Sequence, residues 1–81
     1  MVFLAITRSG YEDFARIDAS GVSLWVGAGV LSAEELSSLR ADGLDVSDFN
    51  FEIRREDSVA IEGAVATIQE HHPGEVVWVQ A

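Results

Sequence analysis

The sequence predicts a small α/β domain in which four short strands alternate with three helices, β-α-β-α-β-α-β, to form a mostly parallel sheet covered by helices. Three observations carry that expectation. Val2-Phe3-Leu4-Ala5-Ile6-Thr7 is an apolar run without alternation, stopped by Arg8-Ser9-Gly10, which is the pattern of a strand covered on both faces. Two helical stretches open with a serine and a glutamate at capping-box spacing, Ser9/Glu12 and Ser32/Glu35,. Ile61, Ala64, Val65 and Ile68 fall at i, i+3, i+4 and i+7, the stripe of an amphipathic helix. Short connections between such elements imply right-handed crossovers and helices laid over the sheet. A ferredoxin-like α+β sandwich, with the second helix inserted between its middle strands, is the alternative arrangement.

The elements follow in order. The first helix begins at the Ser9 capping box and runs to about Ala19, with Tyr11, Phe14, Ala15 and Ile17 as its apolar face and Ser20-Gly21 as its stop,. Val22-Ser23-Leu24-Trp25-Val26 is the second strand, broken by Gly27-Ala28-Gly29. Ser32 caps the second helix, which runs through about Ala41, turns Leu36 and Leu39 to the sheet and ends before Gly43,. Phe49, Phe51 and Ile53 alternate with Asn50, Glu52 and Arg54, which reads as a half-exposed strand at a sheet edge or antiparallel to the others. Leu44 and Val46 form a separate extended piece, with Ser47-Asp48 as a kink or bulge. Arg54, Arg55, Glu56 and Asp57 read as a charged turn. Asp57 or Ser58 caps the longest helix, to about His71; His72-Pro73-Gly74 stops it, and Val76-Val77-Trp78-Val79 is the last strand.

Composition bounds the function classes. At 81 residues there is room for one domain,, small enough that dimerisation would add useful burial. Without cysteine, disulfides and Cys-ligated zinc are excluded,. The N-terminal apolar run is too short for a signal or a membrane span, so a soluble, cytoplasmic protein is expected. Fourteen acidic residues against five arginines and no lysine give a net charge of −9. That argues against direct binding to nucleic acid or to an anionic membrane, both of which need a basic patch. It is compatible with plain solubility, with a basic protein partner, or with mimicry of nucleic acid.

Candidate chemistry lies where ligands bind in open parallel sheets, beyond the carboxyl ends of the strands. After the first strand, Thr7, Arg8, Ser9 and Gly10 join hydroxyls, a guanidinium and a glycine at a helix N-terminus, a plausible anion site. After the second, Gly27 and Gly29 offer G-x-G without the third glycine of a dinucleotide fingerprint, and no P-loop lysine follows. His71 and His72 are adjacent on a helix and so point about 100° apart; no metal site and no cofactor is expected from them. No G-x-S-x-G surrounds any serine, and catalysis is not expected. Trp25 and Trp78 each stand in an apolar strand, as core anchors or as interface aromatics. The sequence thus favours a non-catalytic protein–protein interaction or accessory module, self-associating as a homodimer. A small-molecule or anion-binding domain using the two strand-end loops is the alternative.

Overall fold

In a computed structural model, which describes residues 1–17 and 21–81, the chain forms a four-stranded, all-parallel sheet with three helices. The elements are β1 (Val2–Ala5), α1 (Arg8–Ala15), β2 (Ser23–Val26), α2 (Ala33–Ala41), β3 (Val46–Asp48), α3 (Ser58–His71) and β4 (Val77–Gln80). The strands lie side by side as β3-β2-β1-β4. The chain therefore steps twice in one direction and then crosses back past β1. With right-handed crossovers, that reversal puts the helices on opposite faces. Phe14 of α1 and Leu36 of α2 pack with Phe3, Ala5, Leu24 and Val26 on one face. Ala64 and Ile68 of α3 pack with Val2, Leu4 and Trp25 on the other.

All four residues of β1 are buried, as expected of an apolar run without alternation, because the strand has a neighbour on each side and a layer on each face. It pairs in register with β2, Val2 opposite Ser23, and with β4, Val2 opposite Val77. In β2, Leu24 and Val26 face the α1/α2 layer while Trp25 faces the α3 layer. α2 starts with the capping box as read: Ser32 Oγ accepts from the Glu35 N–H at 3.1 Å and Glu35 Oε1 accepts from the Ser32 N–H at 3.0 Å. Gly43 follows α2 with φ +90°, a conformation that favours glycine. In α3, Asp57 is the N-cap and Ala64 and Ile68 are its buried residues.

Several expectations need correction. α1 is capped by Thr7, whose Oγ1 accepts from the Gly10 N–H at 2.9 Å, so the helix begins two residues before the Ser9 capping box would place its first turn. Its last helical residue is Ala15, and Ile17 is exposed; the expected end at Ala19 and stop at Ser20 lie outside the described residues. Residues 49–53 are not a strand. The third strand is instead the piece around Val46, parallel to β2 at the sheet edge. The apolar residues that follow fold over the end of the sheet: Phe49 packs on Trp25 with centroids 5.3 Å apart, Ile53 is fully buried and Phe51 faces outward.

Gly10 and Gly63 give opposite expectations for one substitution. A Cβ at Gly10 would lie 2.5 Å from the backbone oxygen of Gln80, whereas one at Gly63 would meet nothing within 4 Å. Gly10→Ala should destabilise the fold by about 2 kcal/mol through overpacking. Gly63→Ala should stabilise it by about 1 kcal/mol through helix propensity. Urea denaturation of the two variants beside the parent checks both signs.

Candidate functional site

The carboxyl ends of β1 and β2 open into a cleft of about 730 Å³. One wall is the start of α1, where Thr7 is extended (φ −132°, ψ 164°) and turns the chain into the helix. Because Thr7 Oγ1 caps Gly10, the Arg8 and Ser9 N–H groups are left without protein partners among the described residues, the usual state of a first helical turn. A second wall is the loop after β2, which contributes Ala28, Gly29 and Val30. It is tied down by the Gly27 N–H to Ala5 O at 3.3 Å and the Ala28 N–H to Phe51 O at 3.0 Å. Gly29 has φ +83°, which lets the loop turn back there without strain. The third wall is the connection into α3, residues 52–56.

Arg8 is the best-fixed side chain of the site. Its Nη1 lies 2.7 Å from Glu35 Oε2 and 2.8 Å from Glu35 Oε1, and donates to Val30 O at 3.3 Å. Its guanidinium stands 5.3 Å from the centre of the Tyr11 ring, within cation–π range. One carboxylate, Glu35, thus caps α2 and holds the first side chain of α1. The hydrogen bond from Arg8, then that from Ser32, keeps its pKa at about 2, below the usual 4.5. The same hydrogen bond raises the Arg8 pKa.

The structure brings Thr7, Arg8 and Gly29 together in the cleft. It places the other expected residues elsewhere. Ser9 is exposed on α1 outside the lining. Gly10 is buried against the Gln80 carbonyl, where a Cβ would lie 2.5 Å from that oxygen, and Gly27 lies beside Ile53, where a Cβ would make ordinary contact. Arg54 and Arg55, expected from the sequence only as part of a charged turn, line the cleft beside Glu52 and Glu56. Arg54 Nε is 3.9 Å from Glu52, while Arg55 has no ion-pair partner within 4 Å among the described residues. A paired arginine just before a helix cap, in a chain with five arginines in all, was the available signal.

Trp25 and Trp78 differ. Trp25 is 9% exposed and belongs to the core, its ring 5.4 Å from that of His71, so it offers no free surface; Trp78 is 52% exposed on β4. The histidines are occupied locally, His71 Nδ1 with Thr67 O and His72 Nδ1 with Glu75 Oε2, each at 3.0 Å. Among the described residues no three His, Cys, Asp or Glu side chains converge as metal ligands, and no helix is long and apolar enough to cross a membrane. Compared with known proteins, the chain matches no family model, no curated protein and no solved structure.

The Arg8–Glu35 contact sets a pH dependence. Glu35 has a lower pKa folded than unfolded, so its stabilising contribution is fully present above about 4.5 and is lost as pH falls towards about 2,. Glu35→Gln should therefore flatten the loss of stability across that window, and Arg8→Ala should raise the Glu35 pKa towards its ordinary value. Acid titration of unfolding midpoints and of the Glu35 carboxyl carbon by NMR check the two outcomes.

Proposed function

We propose that the chain is a soluble, cytoplasmic domain that binds a small anionic ligand, a phosphate- or carboxylate-bearing metabolite, in the cleft at the carboxyl ends of β1 and β2. The observation that carries this reading is the placement of charge. Three of the five arginines line one cleft, in a chain whose net charge is −9. The lining also holds two glutamates, Glu52 and Glu56, and Arg8 is balanced by Glu35 at 2.7 Å. Guanidinium groups recognise carboxylate and phosphate through paired hydrogen bonds, and the unpaired N–H groups at the start of α1 favour the same sign of ligand. Each side chain has a distinct part. Among the described residues Arg55 has no ion-pair partner, Arg54 is only loosely engaged by Glu52, and Arg8, held by Glu35, shapes the wall.

The role is binding: the one hydroxyl among the lining residues, that of Thr7, caps a helix. The interaction-module reading is favoured by a separate observation, the open edge of β4 with its exposed Trp78.

Titration of the labelled protein with inorganic phosphate, pyrophosphate and a tricarboxylate, followed by amide NMR, tests the cleft. Saturable shifts are expected at Thr7, Arg8, Gly29, Arg54 and Arg55. Arg55→Ala should weaken binding about tenfold, the loss of one charged hydrogen bond. No localised shift with any anion, or binding unchanged in Arg55→Ala, would overturn the proposal.

A further inference from the structure

The two edges of the sheet are treated differently. On the β3 side, the Leu24 N–H bonds Asp45 O and the Phe49 N–H bonds Val26 O, so the ladder alternation turns the backbone groups of Val46 and Asp48 outward. That edge is blocked. Arg40 lies across it, with Nε and Nη2 donating to Val46 O at 3.2 and 3.1 Å and Nη2 3.3 Å from Asp48 Oδ1. A short strand carrying a charged side chain over its carbonyl is a common way to keep an edge from pairing.

On the β4 side none of the described residues forms such a guard. The Val2 N–H bonds Val76 O and the Ile6 N–H bonds Gln80 O, which turns the N–H and C=O groups of Val77 and Val79 outward. Apolar surface collects around them. Five of the seven exposed large apolar side chains among the described residues, Met1, Ile17, Val76, Trp78 and Val79, lie on or beside this strand. Met1, Phe3, Ile17 and Trp78 line a largely apolar groove of about 300 Å³ next to it. Among the described residues nearby, the Met1 ammonium is paired with Glu75 at 2.8 Å and Arg16 with Asp13 at 3.4 Å.

We propose that a second copy of this chain covers the β4 edge, the two β4 strands pairing antiparallel about a two-fold axis so that two four-stranded sheets become one of eight strands. The edge is self-complementary, since each copy presents the same outward donors and acceptors at Val77 and Val79, and an isologous contact uses one patch twice. The assembly closes at two copies, because the edges that remain are the two β3 edges blocked by Arg40. Pairing would cover Met1, Ile17, Val76, Trp78 and Val79 on both copies. Two chains of charge −9 repel at long range, so the dimer tightens as salt rises. An arginine-rich strand from another protein, bound at the same edge, would show the opposite dependence.

Sedimentation equilibrium of the full chain, up to about 1 mM protein and in about 50 and about 500 mM salt, reads the assembly. A monomer–dimer equilibrium that tightens with salt is expected. Val79→Pro removes an outward N–H that the monomer does not use, a place where a sheet tolerates proline, and should weaken the dimer at least tenfold with an unchanged far-UV circular dichroism spectrum. Trp78→Lys should do the same by charging the groove. A monomer under every condition, or a dimer indifferent to both substitutions, overturns the proposal. Saturable capture of an arginine-rich extended peptide at β4 by a chain that stays monomeric overturns it as well, in favour of that partner.

Discussion

Everything in this fold hangs on the burial of β1 on all four sides. Val2, Leu4 and Ile6 contact the α3 layer, Phe3 and Ala5 contact the α1/α2 layer, and both edges of the strand are hydrogen-bonded. A strand so placed tolerates no polar residue on either face, which is why its sequence does not alternate. Once β1 is central, the end of the strand fixes what can follow. Gly10 must slip under the carbonyl of Gln80, and Thr7 must turn the chain there and then. The first turn of α1 is thereby set against the loop after β2, and the cleft results from that geometry.

The same constraint explains which parts of the structure were legible. Burial on both faces, the Ser32/Glu35 capping box and the stripe from Ile61 to Ile68 are local patterns with one physical meaning each, and they placed β1, α2 and α3 correctly. Ser9 and Glu12 have capping-box spacing but do not open α1. Thr7 takes the role, its Oγ1 accepting from the Gly10 N–H, and the Gln80 carbonyl presses on the helix at position 10. The alternation of Phe49, Phe51 and Ile53 mimics a strand, yet their partners are Trp25 and the backbone of Gly27, contacts made across the end of the sheet. No local pattern reports such contacts. The candidate site was half legible for the same reason. The loops after β1 and β2 could be named from topology, but the third wall comes from residues 52–56, which approach only when the chain crosses back over the sheet to place α3.

Charge makes the cleft distinct from the surface around it. Elsewhere Asp57 caps a helix, Asp48 holds an arginine and Glu75 pairs with the Met1 ammonium. Arg16 and Arg40 are each paired to a carboxylate within their own neighbourhood. Arg54 and Arg55, carried on the connection into α3, meet Arg8 at the mouth of the sheet. The two edges of the sheet repeat the contrast, one closed by an arginine and the other left apolar and open. Cleft and open edge occupy different sides of β1, so a ligand at one and a second chain at the other do not compete for the same residues.

The central claim is that β1 is the middle strand of an all-parallel sheet, and native-state amide hydrogen exchange tests it residue by residue. The Leu4 and Ala5 amides should exchange only through global unfolding, with the free energy measured by urea denaturation, while the outward Val79 amide exchanges far faster in dilute protein. Rapid exchange at Leu4 and Ala5, with α3 still protected, would contradict the central placement of β1 and with it the cleft built on its end.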